Sequence, residues 1–171
     1  MSDKVSIRPF ELNDVEKLYQ WKNDKEIFKY LGGGYRPQSR YDLEKHMEAL
    51  ILHTMENQRF MIEVEQENDL VSVGVIGLYN MNFVHRTCEI GIYIGEKIFQ
   101  GKGIASRALK DIENYAKNYL NLRKINLDVV KANEVAVQFW EKNGYKLVGT
   151  KMKHRLIDNN YFDLEIREKF L

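Results

Sequence analysis

The sequence predicts a mixed α/β (α+β) domain: a central, mostly antiparallel twisted sheet with one parallel strand pair, flanked by about four helices. Two observations carry this. Strand-like apolar patterns run through three successive segments, 60–64, 70–79 and 87–95, with short connections between them, as in an antiparallel meander. From Ile104 to Tyr119 the apolar period becomes helical, and an apolar strand, Ile125 to Val130, follows it, so one crossover to a parallel neighbour is expected.

The elements follow in order. Val5, Ile7 and Arg8 form a short first strand that Pro9 stops. Asn13 caps a helix with apolar positions Val15, Leu18, Tyr19 and Trp21. A shorter helical piece, Lys25 to Leu31, runs into the flexible Gly32-Gly33-Gly34. Ser39 and Asp42 resemble a capping box that opens a helix through Leu43, Met47, Leu50, Ile51 and Thr54. Phe60, Ile62 and Val64 alternate with Met61, Glu63 and Glu65, a half-buried strand. The acidic run Glu63, Glu65, Glu67, Asp69 is expected to be a solvated strand face and turn. Leu70 to Tyr79 and Thr87 to Gly95 complete the meander. After the long helix and the Ile125–Val130 strand, Asn133 caps a short helix through Val137 and Trp140, with Gly144 at its C-terminal end. Tyr145 to Ile157 and Tyr161 to Arg167 form a hairpin about Asp158-Asn159-Asn160.

A chain of 171 residues fits one domain, 1–171, able to bury about 70% of its unfolded surface. Lys plus Arg number 26 and Asp plus Glu 25, a net charge of +1, which argues against a general nucleic-acid or polybasic membrane binder. The one cysteine, Cys88, excludes an internal disulfide framework and fits a reducing compartment, so a cytoplasmic location is expected. Its four histidines have no metal-ligand spacing, and no metal site is expected. Charges at Asp3, Lys4 and Arg8 leave no apolar run for a secretory signal, and no segment approaches the ~20 apolar residues of a membrane span.

The chemistry concentrates in Glu89 to Ala108, where a strand ends near Gly95 and Gln100-Gly101-Lys102-Gly103-Ile104-Ala105 opens a helix. Small residues at Gly101, Gly103 and Ala105 let a ligand approach the backbone. The first turn of a helix offers unpaired N–H groups and the positive end of the dipole, an anion site suited to phosphate or pyrophosphate, with Lys102 beside it. A ligand-free strand–glycine–helix junction has the same pattern. It is not a Walker loop, since no Gly-Lys-Ser/Thr follows, nor a dinucleotide fingerprint, since a meander precedes it.

One strand later comes Asn133, Ala136, Phe139, Trp140, Gly144 and Tyr145. With Gln100, Gly103 and Ala105 matching the acyl-CoA motif Gln/Arg-x-x-Gly-x-Gly/Ala, the chain resembles the GNAT superfamily of acetyl-CoA-dependent N-acetyltransferases over nearly its whole length. Ser6 to Phe10, Trp21 to Asp24 and Ile157 to Asp163 are similar to the branch of ribosomal-protein and spermidine acetyltransferases. The resemblance implies that the parallel strand pair is splayed and that acetyl-CoA is the co-substrate. Ile92, Tyr93 and Ile94 would line its pantetheine arm. The amides of Gln100, Gly101, Lys102, Gly103, Ile104 and Ala105 would hold the pyrophosphate, and Asn133 would bond the pantetheine. Ala136 belongs to the same motif, and Phe139 and Trp140 would flank the thioester.

The implied reaction is direct attack by a primary amine in a ternary complex, the acceptor being a polyamine, another small amine or a peptide N-terminus. A second copy of the chain, as a homodimer, is compatible with this. An alkyl ammonium of pKa about 10.4 costs about 4–5 kcal/mol to neutralise at pH 7, a protein α-amine only about 1 kcal/mol. A general base therefore matters most for alkyl amines; Glu89 is the first candidate and Asp128 the second. Tyr30, Tyr35 and Arg36, around the glycine loop, would meet the acceptor, unless that loop is only a connector. Trp140 stands where the family commonly has a tyrosine as general acid, and an indole N–H cannot shuttle a proton. That departure keeps a non-catalytic acyl-CoA-binding module, and more distantly a phosphate-binding scaffold, as alternatives.

Overall fold

The computed structural model describes residues 4–171, so Asp3 of the charged N-terminal stretch lies outside the described residues. The strands are β1 (Val5–Pro9), β2 (Gln58–Gln66), β3 (Asp69–Asn82), β4 (Thr87–Ile94), β5 (Lys124–Val130), β6 (Lys146–Ile157) and β7 (Asn160–Phe170). The α-helices are α1 (Val15–Lys22), α2 (Lys25–Phe28), α3 (Arg40–Ile51), α4 (Ile104–Asn118) and α5 (Glu134–Lys142). One sheet runs β1-β2-β3-β4-β5-β7-β6, antiparallel at every pairing except β4 with β5. Among the described residues no helix is long and apolar enough to cross a membrane.

Both faces of the sheet are covered, which separates two apolar clusters. On one face α4 buries Ile104, Ala108, Leu109, Ile112 and Ala116, one stripe at helical spacing, against Ile62, Ile76 and Leu127. Each large apolar side chain so buried stabilises the fold by about 1.5–3 kcal/mol. On the other face Leu18 and Trp21 of α1 and Leu43 and Met47 of α3 pack on Met61 and Val75. β2 is therefore buried on both faces rather than half-buried, because α1 and α3 cover what the polar alternation leaves to solvent.

Several boundaries differ from the sequence reading. The first helix is entered through a turn of 3-10 helix, Leu12–Asp14, not through an Asn13 cap; the Glu11 N–H donates to Asp14 Oδ2 at 2.8 Å. The short helical piece stops at Phe28, and α3 stops at Ile51, leaving Thr54 to receive the N–H groups of Glu56 and Asn57 in a turn. Ser39 caps α3 through the Asp42 N–H at 3.0 Å. Glu63 does not belong to a solvated face. It is buried and accepts from Arg8 Nε at 2.8 Å, while both Arg8 Nη groups donate to buried Asp14 at 2.8 Å. The hairpin turns on Asp158 and Asn159, both at positive φ, as a two-residue turn requires. Gly144 ends α5 in a Schellman motif, with the Gly144 N–H on Glu141 O at 3.0 Å and the Tyr145 N–H on Trp140 O at 2.9 Å.

At the end of β4 the chain is pressed against Trp21. A Cβ on Gly95 would stand 2.2 Å from the indole Cδ2, and that indole is held by its N–H to Glu96 Oε1 at 3.3 Å. Gly95→Ala must displace the ring, so it should lower the unfolding free energy by about 1–3 kcal/mol, the usual cost of overpacking. Urea unfolding with both midpoint and slope checks this; an unchanged midpoint would show that Trp21 moves freely.

The Cys88 thiol and the Tyr145 phenol are buried, and the Tyr93 phenol is enclosed among protein groups although its side chain is half-buried overall. Burial first, and the Glu89 charge second, pushes the thiol from 9.0 up to about 12. Burial likewise pushes both phenols up, with Glu113 adding to the effect at Tyr145. A raised pKa of this kind stabilises the fold below the unfolded value, and the contribution is lost as pH rises towards the folded one. Alkaline unfolding should therefore set in over about pH 9 to 12, and the phenolate absorbance of Tyr93 and Tyr145 should appear only with loss of circular dichroism. Complete phenolate titration in a still-folded chain would contradict it.

Candidate active site

β4 and β5 pair at Thr87–Lys124, Cys88–Ile125 and Glu89–Asn126, and then the ladder ends although both strands continue, to Ile94 and Val130. β4 stays fully paired to β3 on its other side, from Gly74–Ile94 to Tyr79–Glu89. The backbone groups that β4 turns towards β5 beyond Glu89 thus lack a strand partner, which is a template for any ligand carrying amides. A cavity of about 620 Å³ opens at this splay. Ile90 to Tyr93 of β4, Leu127 and Val129 of β5, and Asn133, Ala136 and Trp140 of α5 line it.

The glycine loop lies at the C-terminal end of β4. Gln100 Nε2 donates to Ile94 O at 2.9 Å, tying the loop to the strand. Gly101 and Gly103 both sit at φ +74, and Gly103 is the N-cap of α4. Apart from the adjoining chain, no protein atom lies within 4 Å of a Cβ built at either, so these glycines serve the left-handed backbone and an open approach, not tight packing. Lys102 Nζ lies over the Phe99 ring, 5.3 Å from its centre, and Phe99 is buried beneath the loop. The first amides of α4 point out of an open, positively polarised helix start suited to an anion.

α5 supplies the far wall. Asn133 Oδ1 caps it by accepting from the Ala136 N–H at 3.4 Å. Trp140 is buried, edge-on to Phe139 and to Tyr145 with ring centres 4.9 Å away in each case. Trp140 reaches the cavity; Phe139 packs into the core and does not line it.

Glu89 and Asp128 both line the cavity, one from each splayed strand. Asp128 is already engaged by Lys151 Nζ at 2.6 Å. Among the described residues no Lys or Arg nitrogen comes within 4.0 Å of the Glu89 carboxylate. Cys88, next to it, is buried with its thiol held protonated by burial. Of the three residues expected around the acceptor, Tyr30 lines the cavity, whereas Tyr35 and Arg36 line an adjoining groove with Lys25, Lys29 and Asp158. Gly32, Gly33 and Arg155 line both spaces. Arg155 Nη1 donates to Leu31 O at 2.7 Å and Gly32 O at 2.8 Å, so the Gly32-Gly33-Gly34 segment is tied to the β6–β7 hairpin.

Sequence reasoning missed Lys22, Arg59, Tyr79 and Arg155, which also line the cavity. The Tyr79 ring lies over two glycines: a Cβ at Gly77 would be 2.5 Å from its Oη, and one at Gly91 3.3 Å from its Cε2. Arg59 stacks over that ring with its Cζ 5.4 Å from the centre. Burial raises the Tyr79 phenol's pKa, and Arg59 works against that rise. The signal was there as a period: Arg59, Gly77, Tyr79, Glu89 and Gly91 take the strand parity opposite to Phe60, Leu78 and Ile90. Nothing local says that this face is a cavity wall. Among the described residues no group of three or more His, Cys, Asp or Glu side chains could hold a metal ion.

Residues 4–146 match the acetyltransferase (GNAT) domain family. The spermidine N(1)-acetyltransferase of Escherichia coli K12 is 31% identical over 166 residues, covering 92% of this chain and 81% of that protein. The crystal structure of spermidine N-acetyltransferase from Vibrio cholerae in complex with CoA and spermine superposes with a TM-score of 0.86 at 27% identity, covering 97% of this chain and 95% of that one. A dodecameric structure of the V. cholerae enzyme in an intermediate state gives 0.81 at 26% identity, covering 97% of this chain and 93% of that one. The splayed parallel pair and the α5 motif share the cavity, while Ile94 and Gln100 to Ala105 lie beyond its lining at the C-terminal end of β4; the chain belongs to the GNAT family and is an N-acetyltransferase.

Proposed function

We propose that this chain transfers the acetyl group of acetyl-CoA directly to a primary amine held in the same cavity, with Glu89 as the general base. The observation that carries it is the splay, which joins an unpaired β4 edge to one unengaged carboxylate at its base and leads to the open start of α4 at its far end. In this reading Ile92, Tyr93 and Ile94 and the cap residue Asn133 flank the pantetheine, and the amides from Gln100 to Ala105 take the pyrophosphate. The spermidine acetyltransferases to which the chain is similar make a small amine the acceptor class to test first.

Attack needs the neutral amine, and Glu89 takes its proton directly or through a water. The new N–C bond forms as the C–S bond breaks, and CoA leaves as a thiolate. A thiol of pKa about 8.5 gains only about 2 kcal/mol from protonation at pH 7, so the step tolerates Trp140 in place of a tyrosine. Water supplies that proton, because burial raises the Tyr79 and Tyr93 phenols on the cavity wall and weakens them as acids. Trp140 also favours a second reading, an acyl-CoA-binding module without turnover. Thiol release from acetyl-CoA across an amine panel separates the two: tight CoA binding with no amine-dependent release selects the module.

Two outcomes are expected. Gly103→Val places a β-branched residue at φ +74 and blocks the open approach, so calorimetric affinity for CoA should fall at least about tenfold, the worth of one lost charge-assisted hydrogen bond. Unchanged affinity in a folded variant would put the pyrophosphate elsewhere. With an alkyl amine, kcat/KM should rise with pH, and Glu89→Gln should lower it about 10²–10⁴-fold. Asp128→Asn should cost much less, because Lys151 already occupies that carboxylate. Wild-type profiles in both variants would remove both carboxylates from the proton path.

A further inference from the structure

We infer that the acceptor amine carries an anionic group, a phosphate or a carboxylate, which Lys22, Arg59 and Arg155 bind at the acceptor end of the cavity. The inference rests on the acetyl-transfer reading above and names the substrate class of that site. All three side chains line the cavity and all three are half-buried. Among the described residues no carboxylate comes within 4.0 Å of any of them. Arg155 spends one nitrogen on the carbonyls of Leu31 and Gly32, and Arg59 stacks on Tyr79, so both guanidinium groups are held in place with donors to spare.

The remaining lining sharpens the point. Asp128 is neutralised by Lys151, which leaves Glu89 as the single unengaged carboxylate, at the splay where the reacting amine belongs. Asn57 and Asn80 contribute neutral amides. A polyamine needs carboxylates along its length, and here its distal ammonium groups would lie among cations. Lys22 already registers that environment: its pKa is lowered, first by burial and then by the Arg59 charge, against a partial opposing effect of Asp42. In the adjoining groove Lys25 is paired with Asp158 and Lys29 with Glu26, so beyond Arg155 only Arg36 among its described cations has no carboxylate within 4.0 Å. Half-buried, pre-oriented cations without counter-charge are an anion site, and planar guanidinium groups suit phosphate and carboxylate equally.

The test uses wild-type protein saturated with CoA, so that the pyrophosphate loop is filled and no turnover occurs. Calorimetry compares glucosamine 6-phosphate with glucosamine, 6-aminohexanoate with hexylamine, and spermidine. At least one anion-bearing amine should bind about 10–100-fold more tightly than its neutral partner, and more tightly than spermidine. Which pair shows the gain separates phosphate from carboxylate. High salt should shrink the gain. Arg59→Gln and Arg155→Gln should bring the ratio towards one, and Arg59→Lys should keep part of it. Equal binding within both pairs, or tightest binding by spermidine, overturns the inference and leaves acetyl transfer standing. Anion binding seen only without CoA would assign the cations to the cofactor and likewise overturn it. Thiol release from acetyl-CoA measured alongside tests the other reading: release with spermidine alone sinks the anion-bearing acceptor, and release with no amine sinks acetyl transfer itself.

Discussion

The ladder between β4 and β5 stops after three residue pairs, and the site exists because of that stop. A parallel strand normally fills both of its edges. Here β4 keeps its full pairing to β3 while its other edge opens into a cavity. Such an edge costs hydrogen bonds unless water or a ligand supplies them. It persists because everything around it is rigid. β5 is paired to β7 along its whole length, Lys124–Phe170 to Val130–Leu164, and α4 and α5 pack beneath the sheet. Trp140, clamped between Phe139 and Tyr145, stands in the wall of the opening as a fixed surface.

Charge is divided in the same spirit. The buried ions Asp14, Glu63, Glu165 and Arg167 are tied to partners away from the site: Arg8 with Asp14 and Glu63, Arg167 with Glu165 and exposed Glu141; half-buried Lys169 pairs with Glu113, which also accepts the Tyr145 hydroxyl. Removing one partner from such a group strands a buried charge, which costs far more than the pair contributes. The cavity breaks this pattern. Glu89 on one side and Lys22, Arg59 and Arg155 on the other have no ionic partner among the described residues.

The two halves of the cavity are also built differently. The side proposed to take the cofactor comes from one continuous stretch, β4 through the start of α4 beyond the cavity lining, with α5 following one strand later. The acceptor half is assembled from segments far apart in the chain: α1, the loop after α2, β2, β3 and the β6–β7 hairpin. Long-range contacts hold it together, Arg155 on the carbonyls of Leu31 and Gly32 and Lys25 on Asp158 at 2.7 Å. Acceptor specificity can therefore change by substitutions scattered over the sequence without touching the glycine loop.

What the sequence by itself determined follows from local physics. Each strand of the meander, the α4 stripe, the glycine loop at φ +74 and the Asn133 cap is written in fewer than twenty consecutive residues, by period, backbone permissiveness or capping chemistry. The family motifs occupy the same local stretches, so the residues proposed to hold the cofactor are near one another in the sequence as well as in space. The tertiary structure alone decided the rest. It buried Glu63 by bringing Arg8 to it across 55 positions, turned β2 into a two-faced core strand, and tied Asp128 to Lys151 while leaving Glu89 unengaged. It also gathered Lys22, Arg59, Tyr79 and Arg155 onto one cavity wall and sent Tyr35 and Arg36 to the neighbouring groove. The reason is physical: a period reports which side of a strand or helix a residue takes, but which charges meet across a sheet depends on strand order and register. Those are set by packing summed over the whole chain.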